Sequence, residues 1–244
     1  MNFMKNVQLV FKNYLWHIVS VYKFCLLFLI VLSFIYNLIF YFKFCVPIDN
    51  KNMIIKLWSF EIYFNSIFFY SNMMAIITAM SEIPTQYFEK FINSGLTMRE
   101  IITGKILAIY VFILITTFIL FAIEFLEFIK INLLINSLSL ISLLLTLLIC
   151  IFFYCTVNTF IVSLKNKKII ILTCAFIITY TLYSLIPLTP YEKSPSIMFV
   201  IIFGHFLSIK INLIVKYIYL PLHLLLSIAL IYFISPFVEN KYQV

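Results

Sequence analysis

Six apolar stretches, each long enough to cross a lipid bilayer, recur along the sequence. A helix needs about 20 predominantly apolar residues to cross the hydrocarbon core, and hydrophobic residues make up 64% of the chain against 11% charged. A soluble domain of 244 residues cannot bury that much apolar surface. We therefore predict an all-α polytopic membrane protein with a single transmembrane domain, 1–244. The predicted transmembrane helices are 24–42, 60–80, 106–126, 138–164, 169–188 and 214–235.

Two further segments are predicted to lie at the membrane surface or to enter it only partly. Residues 1–23 place apolar side chains at helical spacing and lysines elsewhere around the helix, which is typical of an interfacial helix. Those apolar positions are Phe3, Val7, Phe11, Tyr14, Leu15, Ile18 and Tyr22. A simple extension of the first span is the alternative. The apolar run 196–209 is too short to span, which favours a re-entrant or interfacial segment before the sixth span.

The basic excess sets the orientation. The chain has 17 Lys and Arg against 9 Asp and Glu, and its longest basic cluster is 165–168, so anionic lipid is favoured over nucleic acid as the partner. Cytoplasmic loops of membrane proteins are enriched in Lys and Arg. An orientation with both termini in the cytoplasm places more basic residues on that side, and it also places the segment 82–105 there.

The segment 82–105 is the only polar stretch of any length inside the apolar chain. Pro84 suits the start of a helix, and Phe88, Phe91 and Ile92 then fall on one face. Gly95 predicts the end of that helix, because glycine readily adopts the left-handed conformation.

A second helix is predicted to begin just after Gly95. Thr97 with Glu100 three residues later matches the capping-box pattern, so Thr97 is the predicted N-cap of a helix that continues into the third span. A short amphipathic helix of this kind can dock in a groove of a soluble partner. An ordinary ordered loop is the alternative.

Part of this segment resembles the signature region of ABC-2 type transporter permeases, the membrane subunits of ABC exporters. The matching residues, in order, are Glu82, Phe88-Glu89, Phe91-Ile92, Ser94, Thr97 and Glu100-Ile101-Ile102-Thr103-Gly104-Lys105-Ile106-Leu107. The chain departs from that pattern at Gln86, where glycine is usual, at Tyr87 in place of threonine, and at Gly95 in place of proline.

The resemblance implies that 82–105 contains a cytoplasmic coupling helix between spans 2 and 3, seated on a separate ABC ATPase subunit. The residues implied in coupling are Glu82, Phe88, Glu89, Phe91, Ile92, Gly95, Thr97, Arg99 and Glu100. The sequence has no GxxxxGK[ST] motif, so ATP and Mg would be bound by the partner ATPase and this chain would be a transport subunit, with no cofactor or catalytic residue of its own. The resemblance also implies a second permease, as a homodimer or heterodimer, in the plasma membrane of a prokaryote.

Polar residues inside the spans are candidates for a translocation pathway, because such residues are costly in a bilayer. The family resemblance implies that the second and fifth spans line the route between two subunits. The candidates are Asn65, Asn72, Tyr180, Thr181 and Ser184. Hydrogen bonds between packed helices are the alternative role for each of them.

We therefore expect export of an amphipathic lipid, peptide or drug. An intramembrane lipid-modifying enzyme or protease is an alternative, but it needs clustered acid/base or metal-binding residues, and the sequence has no HExxH motif. A secondary transporter is a third possibility, but its broken helices are usually marked by glycine, and only three glycines occur. The five cysteines and three histidines show no metal-ligand spacing.

Overall fold

The structure of the chain is a computed structural model that describes residues 3–44, 70–80, 85–120, 122, 137–164, 166–185 and 213–242. The described residues form seven helices and no strand, which confirms the all-α class for this part of the chain. The helices are α1 (Phe3–Phe44), α2 (70–80), α3 (Thr85–Asn93), α4 (Met98–Leu120), α5 (Ser137–Ser163), α6 (Lys167–Leu185) and α7 (Leu213–Tyr242).

Helix α4 lies at the centre of the packing. It contacts α1, α5 and α7, while α5 also contacts α7 and α6. The core between these helices is aliphatic and aromatic, and a polar face is largely absent from α4 beyond its first turn, so this helix is buried on several sides. Fully buried members of the core include Ile18, Ile106, Ile109, Ile113, Leu147, Ile151 and Ile234.

The N-terminal helix α1 is continuous across the predicted boundary between residues 23 and 24. Its 42 residues correspond to a length of about 63 Å. The apolar face predicted for 1–23 is turned toward the protein: Val7, Tyr14 and Ile18 are buried, and Phe3 is exposed. This face packs on α4 and α2, so the amphipathic pattern of 1–23 is explained at least in part by contacts within the chain.

Within the described residues, α4 is the one helix that is long and apolar enough to cross a membrane by length and composition. Two shorter apolar helical stretches, Leu147–Ser163 and Pro221–Pro236, lie in α5 and α7. A buried core helix of a soluble protein meets the same criterion as α4. The arrangement of six spans therefore stays a prediction, and the predicted re-entrant segment 196–209 lies outside the described residues.

Candidate functional site

The turn between α3 and α4 ends the first helix with a specific backbone pattern. Gly95 has a φ of 76°, in the left-handed region that glycine adopts without a Cβ clash. The Gly95 N–H donates to the Ile92 carbonyl at 2.8 Å and the Leu96 N–H donates to the Phe91 carbonyl at 3.1 Å. This pair of bonds is a Schellman motif, and it confirms the helix end predicted at Gly95.

The next helix begins with the predicted capping box. The backbone N–H of Thr97 donates to Glu100 Oε2 at 2.7 Å, and the Thr97 hydroxyl donates to the same oxygen at 3.0 Å. In return, the Glu100 N–H donates to Thr97 Oγ1 at 3.4 Å. Because the first N–H groups of a helix have no partner within the helix, these bonds fix the start of α4 at Met98.

A small apolar cluster lies beneath the turn. It contains Phe91 of α3, Leu96 of the turn, Ile101 of α4 and Val10 of α1, and all four are buried. Leu96 packs with Phe91 on one side, as in a Schellman motif. On the other side it packs with Ile101, the residue that forms a hydrophobic staple at a helix start. The cluster joins α3 to α4 and joins both to α1.

Glu100 also forms a buried contact with α1. Asn6 Nδ2 donates to Glu100 Oε1 at 2.8 Å, and both side chains are 5% exposed. Burial alone would raise the pKa of the Glu100 carboxyl, but the hydrogen bonds from the Thr97 N–H, the Asn6 amide and the Thr97 hydroxyl lower it below its ordinary value. Glu100 precedes the apolar stretch 106–126, and these hydrogen bonds stabilise its ionised form.

Gly104 allows α1 and α4 to approach closely. A Cβ at this position would lie 2.6 Å from Val10 Cβ, closer than real Cβ contacts, and 3.0 Å from the Val7 carbonyl oxygen, which is also tight. At the next residue, Lys105 Nζ donates to the Ala79 carbonyl of α2 at 3.0 Å. The start of α4 is therefore held by α1 on one side and by α2 on another.

The outer surface of residues 85–105, here called the α3–α4 element, is polar and open to solvent. Glu89, Thr97 and Arg99 are exposed, and Ile92 is an apolar side chain with 42% exposure. Arg99 stacks over the ring of Tyr232 in α7, with Cζ 4.2 Å from the ring centroid, in a cation–π contact.

Nine residues are predicted to couple to an ATPase, and the seven with described side chains divide into two groups. The buried members are Phe91 and Glu100, which hold the element to the rest of the chain, and the exposed members include Glu89, Ile92 and Arg99. Glu82 lies outside the described residues, and Phe88 lies in α3 with its side chain outside the described set.

The predicted pathway residues are only partly described. Asn72 is buried, and its Oδ1 accepts a hydrogen bond of 2.7 Å from Asn158 Nδ2 of α5. Its neighbour Ser71 lies 3.4 Å from the Thr117 hydroxyl of α4. Asn72 thus makes the contact between packed helices that was the alternative role, and a position along a pathway stays a prediction.

Asn65 lies outside the described residues, and α6 contains Tyr180, Thr181 and Ser184, whose side chains are outside the described set. Among the described residues, no group of three His, Cys, Asp or Glu side chains could hold a metal ion.

Sequence reasoning missed several residues of this site, including Asn6, Val10 and Tyr232. Val10 had a usable signal, since it falls between Val7 and Tyr14 on the buried face of α1. Asn6 had a weaker sequence signal: it lies four positions before Val10 on that same face, but its side chain is polar. Nothing in the local sequence indicates that Tyr232 lies next to Arg99.

Comparisons of this chain with protein-family models, with curated proteins and with solved structures found no match. The resemblance of 82–107 to ABC-2 permeases therefore stays a prediction made from those residues.

Proposed function

We propose that this chain is the membrane-spanning permease subunit of an ATP-driven ABC exporter, and that the element 85–105 docks on a separate ATPase subunit. The observation that carries the proposal is the construction of that element. It is capped at the end of α3 and again at the start of α4, it is anchored on α1, and it still leaves a polar face exposed. An ordinary connecting loop does not need a buried carboxylate and an apolar cluster to hold it.

Exposed apolar side chains support a membrane location. Helices α4, α6 and α7 all carry large hydrophobic residues on their outer surfaces, and such surfaces would favour aggregation in water. They include Ile115, Phe118, Ile119, Ile171, Leu172, Phe176, Leu222, Leu225, Ile228 and Phe233. A bilayer would cover these surfaces, and the described residues of the six predicted spans are helical apart from Leu164, a turn residue.

The contact between Arg99 and Tyr232 supports the proposed orientation. In that orientation the start of α4 and the end of α7 both face the cytoplasm. The cation–π contact joins the first turn of α4 to Tyr232, ten residues before the end of α7, so it supports an arrangement in which these two regions face the same side of the membrane.

The docking face would consist of Ile92 as the apolar anchor with charged neighbours around it. Glu89 lies three residues before Ile92, on the same side of α3, and Arg99 is exposed at the start of α4. A helix with one apolar anchor and both signs of charge suits a shallow groove on a soluble protein. ATP and Mg would be bound by that protein, because the chain has no P-loop sequence.

The test is purification of the tagged chain from its native membranes, with mass spectrometry of the proteins that accompany it. A P-loop ATPase should co-purify with the unaltered chain. Ile92→Asp, Glu89→Lys and Arg99→Glu should each reduce its recovery at least fivefold, about 1 kcal/mol. Lys168→Glu, a charge reversal at an exposed site in α6, is the matched control.

Arg99 has two roles, the contact with the Tyr232 ring and a charge on the docking face. Tyr232→Leu removes the ring contact and keeps the charge, so it separates these roles. If no ATPase accompanies the chain, or if all three docking-face variants retain it as well as the control does, the proposal is wrong.

A further inference from the structure

The N-terminal half of α1 has two opposite faces with different surroundings. Its inner face, which includes Asn6, Val10 and Tyr14, is buried against α4 and α2. Its outer face carries a row of exposed residues at helical spacing, here called the outer stripe. The outer stripe consists of Lys5, Leu9, Lys12, Trp16 and Val19.

The outer stripe combines large exposed apolar side chains with positive charge. Trp16 is 75% exposed, and Leu9 and Val19 are 47% and 37% exposed. Helix α1 contains lysines but no aspartate or glutamate, and the first acidic residue of the chain is Asp49. No acidic side chain on α1 therefore offsets the charge of the stripe.

This composition matches one kind of surface. Tryptophan is enriched at the boundary between hydrocarbon and headgroups, and lysines extend their ammonium groups to the headgroups while their stems cover apolar surface. Each lysine near an anionic membrane surface contributes attraction. A soluble protein partner would need an acidic groove that also accepts an unpaired indole, whereas an anionic bilayer offers both environments at once.

The same turns of α1 hold the α3–α4 element. Asn6 follows Lys5 directly and donates to Glu100, and Val10 follows Leu9 and contacts the apolar cluster beneath the turn. A Cβ at Gly104 would lie 2.6 Å from Val10 Cβ, so α1 and α4 cannot shift independently along this contact. Anything that fixes the outer face of α1 also fixes the element on its inner face.

We propose that the outer stripe binds an anionic lipid surface and that this binding steadies the α3–α4 element through Asn6 and Val10. The inference rests on the membrane location in the proposed function and not on ATPase docking.

The test uses the full-length chain in nanodiscs of phosphatidylcholine with increasing phosphatidylglycerol. The chain has two tryptophans, so a Trp58→Phe background leaves Trp16 as the reporter. Phosphatidylglycerol should shift the Trp16 emission to shorter wavelength. It should also slow amide hydrogen exchange of residues 96–101, by up to about fivefold for each lysine engaged.

Lys5→Gln with Lys12→Gln should remove most of both responses. Lys167→Gln with Lys168→Gln, two exposed lysines at the start of α6, is the matched control and should keep them. If the stripe variant does not fold, a second measurement decides: about 0.5 M salt should abolish both responses of the unaltered chain, because exposed charges are screened.

The proposal is overturned if the stripe variant responds as the control does, if phosphatidylglycerol leaves the exchange of 96–101 unchanged, or if soluble glycerol phosphate gives the same responses without an anionic bilayer. The discs contain no ATPase. Failure to find an ATPase partner therefore leaves this test intact, and loss of the lipid response leaves co-purification to decide the proposed function.

Discussion

The α3–α4 turn and the buried contact between α2 and α5 both pair polar groups, but they do so over very different distances along the chain. In the turn, the bonded groups are three to five residues apart, as with Thr97 and Glu100. Between α2 and α5, Asn72 and Asn158 are 86 residues apart. The turn also contains a buried apolar cluster and a buried carboxylate, whereas the α2–α5 contact consists of one pair of amides. The two regions should therefore respond differently to substitution.

The largest effect is expected where the turn meets the core, at Phe91. Phe91→Ala removes a side chain that is 4% exposed from the cluster with Val10 and Leu96, and truncation of a buried phenylalanine costs about 3 kcal/mol. The free energy of unfolding in detergent measures the loss. Ile92→Ala, at the exposed neighbour, should cost far less. Equal losses would show that the cluster does not hold the turn.

A smaller loss is expected at Gly104. Gly104→Ala places a Cβ against Val10, and overpacking of this kind costs about 2 kcal/mol. Gly95→Ala is the comparison, because no atom lies within 4 Å of a Cβ there and only its φ of 76° is strained; its cost should be about 1 kcal/mol. If Gly95→Ala is the more damaging, the helix contact is looser than the distances indicate.

Glu100→Gln should cost about 1.5 kcal/mol, because it removes the charge that accepts bonds from Asn6 and Thr97. The pKa of Glu100 is lowered, so its ionised form stabilises the fold above the ordinary pKa of 4.5. That contribution is lost as pH falls through the lower pKa of the folded state.

Unfolding titrations at pH 7 and at progressively lower pH measure this contribution. The gap between the unaltered chain and Glu100→Gln should narrow on acidification. A gap that stays constant would show that the charge is not involved.

The α2–α5 contact should give the smallest single loss. Asn158→Leu leaves the Asn72 amide oxygen without its 2.7 Å partner, at about 1 kcal/mol. Replacing both residues, as Asn72→Leu with Asn158→Leu, should cost less than the sum of the two single changes, because no buried polar group is then left unpaired. A strictly additive double variant would mean that the amides do not interact.

The difference in chain distance also explains what the sequence could predict. The end of α3 at Gly95 and the capping box at Thr97 follow from residues within one turn of each other, and the structure has both. The bond from Asn6 to Glu100 joins residues 94 positions apart. No local pattern fixes such a pairing, because it depends on how α1 is placed against α4.

The burial of Phe91 and Glu100 was hidden for the same reason. Both belong to the segment that reads as polar and accessible, yet α1 covers them. Amphipathic spacing correctly identified an apolar face on 1–23. It could not show whether lipid or protein lies against that face, since both environments select the same residues.

Leu96 is shared by two caps: it is the residue after the left-handed glycine of α3 and also the residue before the N-cap of α4. No residue therefore separates the two caps, and α3 cannot change its orientation without moving the start of α4. A force on the outer end of α3, whose nine residues form an arm about 13 Å long, is therefore transmitted to the start of α4 as a rotation.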